Sequence, residues 1–278
     1  MLSGLVMVTL AAASWGTWSL FLRPTGLSAF TTAPILFAVM GLFALPLALR
    51  SPRATWDRKT VGLVVLNAAF DALNIVTFFA AINYTTVAIA VLSHYVAPIL
   101  IAIAAPRIDG TSARGVLPAS IIAALGLVIV LEPWRAAGDG ALVGAALGMV
   151  SAVCYAGNMF TVRRLAERIG ASRAMSYHSL LAAIVLAPFA IANTSDVSFA
   201  DLGLLAAGAI TIGATSGIVF AIGLTRIGAA RAAVLCYAEP LVAVAIGALV
   251  WEEPLHPLAA VGGAMVLGAG IHVARKAR

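Results

Sequence analysis

Between Lys59 and Arg107 the chain reads TVGLVVLNAAFDALNIVTFFAAINYTTVAIAVLSHYVAPILIAIAAP, residues 60–106, with Asp71 as its one formally charged side chain. A hydrocarbon core about 30 Å thick needs about 20 apolar residues in helical form, so this stretch is long enough to cross twice. The Asn83-Tyr84 step supplies the turn between the crossings. The rest of the chain continues the pattern: of 278 residues, 62% are hydrophobic and 10% charged, whereas soluble domains carry roughly a quarter charged residues. Too few polar side chains are available to cover a globule, which sets aside soluble enzymes, nucleic-acid binders and disordered chains.

Cut at its charge and turn clusters, the chain yields ten candidate spans: 2–22, 28–49, 60–82, 85–105, 116–132, 140–162, 174–193, 202–224, 230–250 and 256–274. Nine is the competing count, because the third and eighth connections are only a few residues long. Lys and Arg collect in cytoplasmic loops. With the N-terminus inside, that side receives Arg50, Arg53, Arg58, Lys59, Arg107, Arg114, Arg163, Arg164, Arg168, Arg173, Arg226, Arg231, Arg275, Lys276 and Arg278, 15 of the 17 basic residues. Arg23 and Arg135 stay outside with Glu132, Asp139, Asp196, Asp201, Glu252 and Glu253. Trp56, Trp134 and Trp251 at span ends fit an interfacial aromatic belt. The formal charge of +6 therefore predicts a topology, both termini cytoplasmic in a cell (plasma or inner) membrane, and no nucleic-acid partner. The opening MLSGLVMVTLAAASWG lacks the basic region of a signal peptide and reads as the first span. Cys154 and Cys236 sit in apolar runs and read as small packing hydrophobes.

The two halves are related at an offset of about 142 residues: Tyr95-Val96-Ala97-Pro98-Ile99-Leu100 aligns with Tyr237-Ala238-Glu239-Pro240-Leu241-Val242. At an offset of 140, Ser14-Trp15-Gly16 aligns with Cys154-Tyr155-Ala156 and Arg23 with Arg163, while Pro118 and Pro257 mark the starts of the fifth and tenth spans. Five spans per half make the repeats, 1–135 and 136–278, inverted in the membrane. Inverted repeats give a secondary transporter two near-equivalent packings around a site at the midplane.

Ala12-Ala13-Ser14-Trp15-Gly16, Tyr95-Val96-Ala97-Pro98, Gly223-Leu224-Thr225-Arg226-Ile227-Gly228, Ala238-Glu239-Pro240 and Trp251-Glu252-Glu253-Pro254 together resemble the EamA-type drug/metabolite transporter superfamily. The resemblance covers essentially the whole chain and implies an all-α, ten-helix protein with inverted repeats, a central cavity and alternating access. Members include threonine/homoserine and aromatic amino-acid exporters, and others carry sugars, vitamins, nucleotide-sugar precursors or choline. One departure is that the acidic residue after the ninth span, Glu252 or Glu253, has no counterpart after the fourth, which reads Ala105-Pro106-Arg107-Ile108-Asp109, and this speaks against a symmetric role for the two loops.

Ionisable groups inside a span are costly unless they face protein or water, so each is a functional candidate. Asp71 lies midway along the third span with Asn67 at i−4 and Asn74 at i+3, a polar stripe that either clasps a neighbouring helix or meets a cation or proton. Glu239, beside Pro240, either accepts from backbone groups freed by the proline or exchanges protons. His94 and Tyr95 occupy the matching depth before Pro98, His94 as a neutral hydrogen-bonding group or as a ligand and proton relay. His178 is one turn from Arg173, where snorkelling accounts for it. Trp15, Trp18, Phe78, Tyr95, Tyr155 and Tyr237 are aromatic at central depth, and Ser151, Cys154, Tyr155 and Asn158 share a face of the sixth span. Gly140, Gly144 and Gly148 form a small-residue ridge suited to joining helices of one chain.

No Lys or Arg lies deep in a span, which disfavours anionic cargo, and no metal-ligand cluster, phosphate loop or nucleophile motif appears. The sequence thus predicts a secondary transporter, not an enzyme and without cofactor or metal. It would export a small polar metabolite, an amino acid or an amine, with choline or another organic cation as the alternative. The candidate substrate-binding residues are Trp15, Trp18, Asp71, Asn74, Phe78, His94, Tyr95, Tyr155, Asn158 and Tyr237; Asp71 and Glu239 are candidates for proton coupling, and Pro98 and Pro240 for helix bending. The expected partners are the bilayer and the small molecule, with the chain a monomer or homodimer.

Overall fold

The computed structural model describes residues 2–52, 54, 56–110, 115–135, 140–191 and 197–276. Arg53, Arg114, Asp139, Asn193, Asp196, Arg278 and the residue-136 start of the second half lie outside the described residues. The helices are α1 (Leu2–Trp15), α2 (Ser19–Leu22), α3 (Ala29–Arg50), α4 (Arg58–Tyr84), α5 (Val87–His94), α6 (Ala97–Ile108), α7 (Val116–Leu131), α8 (Ala141–Ile169), α9 (Ala171–Ile191), α10 (Phe199–Gly208), α11 (Ser216–Ile227), α12 (Ala229–Leu235), α13 (Ala238–Val250) and α14 (Leu258–Arg275). A π-helical segment, Ala209–Thr215, joins α10 to α11. Among the described residues nine helical stretches are long and apolar enough to cross a membrane, and α7, with 16 residues, is a shorter tenth. The protein is an all-α, multi-pass membrane protein.

One boundary differs materially from the sequence reading. The sixth span does not stop at 162; α8 runs on through Arg163, Arg164 and Arg168 to Ile169. Arginine is a good helix former, so charge ends the membrane crossing but not the helix. Gly170, at φ 86°, ends it, and α9 begins at the next residue. Elsewhere local capping sets the starts: Asp57 accepts from the Thr60 N–H at 2.7 Å at the head of α4, and Ser28 from Thr31 at 3.2 Å at the head of α3.

Burial is that of a bundle in hydrocarbon. Large apolar side chains face outward, Leu142 at 84% and Leu249 at 82% exposure, whereas Asn67, Thr60, Ser151, Ser176 and Ser179 are fully buried. With no water to satisfy them in lipid, polar groups turn inward. The first span packs against the eighth and ninth, the sixth against the third and fourth, the second against the seventh, and the fifth against the tenth. At the last crossing the helices approach so closely that a Cβ on Gly126 would sit 2.6 Å from the Gly262 carbonyl oxygen. The Gly140, Gly144 and Gly148 ridge lies against Tyr84, Thr85 and Ser93 of the same chain.

The connections gather into two ends. At the basic end Arg226 donates to Ser3, Arg164 to the Ile108 carbonyl, Arg168 to Asp57, and Arg173 to the carbonyls of Ser51 and Pro52. At the other end Arg23 meets Glu253, the Trp251 indole N–H donates to Ser19, and His256 lies 3.3 Å from Glu132. Asp109 closes the departure noted after the fourth span: it pairs with Arg163 at the end of the sixth as Glu253 pairs with Arg23 at the end of the first.

Candidate functional site

Helices are interrupted at the same central depth in four spans. The first breaks over residues 16–18, the fourth over 95–96, the ninth over 236–237, and the eighth passes through the π turn. Pro98 and Pro240 lie in the first turns of the half-helices that follow two of these breaks, where a missing N–H costs nothing inside the new helix. Each proline also leaves the carbonyl four residues earlier, on His94 and on Cys236, without its helical donor. Cys236 O accepts from the Glu239 N–H at 3.0 Å instead. Discontinuous helices at mid-depth are the usual framework of a transporter site.

These breaks bring together a cluster of rings. His94 has Phe78 at 5.0 Å, Tyr155 at 5.1 Å and Tyr95 at 5.2 Å between ring centroids, and Tyr95 lies 5.7 Å from Tyr237. The Tyr237 hydroxyl donates to the Tyr95 carbonyl at 2.8 Å, and the Tyr95 hydroxyl donates to the Glu239 side chain. Tyr237 is fully buried, so its ring and hydroxyl tie the break of the ninth span to that of the fourth. His94 Nδ1 lies 2.8 Å from Ser151 Oγ, whose hydroxyl donates to Asn74 Oδ1 at 2.7 Å. A serine has one hydrogen to give. With that hydrogen on Asn74, His94 Nδ1 is the donor to Ser151, and Nε2 is left as an acceptor.

Asp71 is not directed at this ring cluster by itself; its Oδ2 lies 2.8 Å from His178 Nε2 on α9. His178 is 4% exposed, which corrects the snorkelling reading: the side chain turns into the bundle because a carboxylate is available there. Its Nδ1 lies 2.6 Å from the Ala174 carbonyl, which can only accept. Nδ1 therefore carries a hydrogen, and one proton is shared between Nε2 and the Asp71 carboxyl group. Deeper toward the basic end, Asn67 Oδ1 accepts from Thr161 at 2.5 Å, and the Nδ2 atoms of Asn67 and Asn158 are buried without a partner among the described residues.

Trp15 and Trp18 sit on the eighth-span side. The Trp15 indole N–H donates to the Ile212 carbonyl in the π turn at 3.1 Å, and its ring lies 4.8 Å from Phe220. Trp18 lies against Gly208, and Gly16 between the two tryptophans abuts the Glu239 backbone. Trp15 thus gives its polar atom to the framework.

Residues 142–274 match the EamA-like transporter family. Over 98% of its length the chain is 27% identical to an uncharacterized transporter of Archaeoglobus fulgidus, and 23% identical to the pseudopaline exporter CntI of Pseudomonas aeruginosa, covering 96% of each. The second half of this chain is an EamA-like transporter domain. A solved crystal structure shares the transporter's fold at a TM-score of 0.83 and 20% identity, over 99% of this chain and 98% of the other. In the transporter the site residue that sequence reasoning missed is His178. The available signal was its company: Ser176, His178 and Ser179 are polar in an otherwise apolar stretch, and all three are buried.

Proposed function

We propose that this transporter exports a small polar metabolite with an ammonium group, an amino acid or amine, by alternating access between two inverted five-helix halves, 1–135 and 136–278. The observation that carries the reading is the set of helix breaks that converge on Glu239, Tyr95, His94 and Tyr237. Helix pairing supports the inverted halves: exchanging spans one to five with six to ten turns each contact described above into another of the same list. The Pseudomonas relative is named as an exporter, which supports outward movement. The clustering of basic side chains at one end supports cytoplasmic termini in a cell membrane.

In this mechanism Glu239, held by Tyr95, is the countercharge for the substrate ammonium, and Phe78, Tyr155 and Trp15 shape the space around it. His94 Nε2 accepts from the substrate N–H. The Asp71–His178 pair holds the proton that is exchanged as the halves rock, and the breaks before Pro98 and Pro240 serve as hinges. Electrostatic economy supports this arrangement, since a buried carboxylate accepts a cation only by giving up a proton or another cation. The experiment is counterflow in proteoliposomes with labelled amino acids and amines. Glu239→Gln is expected to abolish exchange of the cationic substrate while the protein keeps its thermal unfolding profile. Wild-type exchange by that variant sinks the reading. The cluster of aromatic faces also favours a second cargo, choline or another organic cation; competition by choline, and none by amino acids, selects it.

A further inference from the structure

A cavity of about 510 Å³ opens between the first turns of α4 and the last turns of α8, away from the central breaks and independent of the identity of the cargo. Lys59, Gly62 and Leu63 line one wall, and Arg164, Glu167 and Arg168 the other. The charges around it are not balanced. Arg168 is matched by Asp57, and Arg163 behind the wall is shared by Asp109 and Glu167. Arg164 donates to the Ile108 carbonyl at 2.9 Å, a neutral acceptor, and Lys59 makes no ion pair among the described residues. Two cations without carboxylate partners therefore face one space.

The floor of the cavity is open because of Gly62, where an added Cβ would meet nothing within 4 Å. From Gly62 the same face of α4 continues into the bilayer as Val65, Leu66 and Leu73, exposed at 53%, 44% and 51%. On α8, Val153, three turns from Arg164, is 54% exposed. A cationic chamber at the head of an apolar seam has the shape of an amphiphile, which a free phosphate ion would fill only at one end. We propose that this cavity binds the phosphate headgroup of an anionic phospholipid, with Lys59 and Arg164 on the phosphate and the acyl chains along the seam between α4 and α8. Basic cavities between helices at a membrane surface are suited to such headgroups. The lipid would brace α4 against α8, the two helices that bring Asn74 and Ser151 together.

The test uses full-length protein in detergent, with phosphatidylglycerol, phosphatidylcholine of the same acyl chains, or inorganic phosphate as probe. Retention is read by native mass spectrometry and stability by thermal unfolding. Phosphatidylglycerol is expected to be retained and to raise Tm, and the other two probes to do neither. Gly62→Leu, which fills open space, and the Lys59→Gln/Arg164→Gln pair are each expected to weaken retention about tenfold or more. Arg226→Gln, at the same end but outside the cavity, is expected to leave it unchanged. Equal retention of the two lipids, an equal Tm rise with inorganic phosphate, or wild-type retention by the Gly62 variant overturns the proposal.

Discussion

Two ion pairs tie together corresponding helix ends, and they differ in how deeply they are set. At the basic end Arg163 meets Asp109 at 2.7 Å, with side chains 18% and 2% exposed. At the opposite end Arg23 meets Glu253, with side chains 49% and 50% exposed, and the guanidinium lies 5.3 Å over the Trp251 ring. Water screens the second pair and leaves its partners comfortable when separated; the first has no such refuge. The basic end is further held by Arg164 on the Ile108 carbonyl and Arg168 on Asp57. Separating the helix ends therefore costs more at the basic end than at the opposite one.

The comparison breaks most directly at Arg163. Arg163→Ala leaves the Asp109 carboxylate buried without its cation and is expected to cost about 3–5 kcal/mol in denaturant unfolding; a cost equal to that of Arg23→Ala removes the asymmetry. Between the ends, His178→Ala strips Asp71 of its partner at 2.8 Å, with an expected loss of about 1–3 kcal/mol in the same assay. Asp57 sharpens the picture at the basic end through pH. The Thr60 backbone N–H, the Thr60 hydroxyl and the Arg168 guanidinium lower its carboxyl pKa from 3.8 to about 2. A group held below its unfolded value stabilises the fold above that value and loses the effect as pH falls through the folded one. Wild-type Tm is thus expected to exceed that of Asp57→Asn at pH 5, and the gap to close as pH falls from 3.8 toward 2. The smallest effect belongs to Arg23→Ala or Glu253→Ala, at about 0–1 kcal/mol and shrinking with added salt.

Much of the fold was legible because crossing a membrane is a local, additive property of about 20 residues. Hydropathy and the placement of Lys and Arg gave the spans, and every described contact at the two ends keeps the expected basic connections together. Even so, the end of α8 escaped, because the marks of a membrane boundary, Arg163 and Arg164, are also good helix residues, and the stop signal was Gly170. At the site, depth was legible and partnership was not. Asp71, Asn74, His94, Tyr95, Tyr237 and Glu239 stood out as polar or aromatic groups within apolar runs. Nothing along the chain indicated that Asp71 would face His178, or that Trp15 would give its N–H to Ile212.

By itself the sequence determined the environment and the layout of this protein: an apolar chain whose few charges gather in short clusters between long uncharged runs has no lower free-energy option than to cross the bilayer repeatedly. Tertiary structure alone decided which polar group meets which. Ser151 reaches His94 across 57 residues and Tyr237 reaches Tyr95 across 142. In hydrocarbon each such group must take whatever partner the packing of apolar faces brings within about 3 Å. That packing belongs to the bundle as a whole and to no single span.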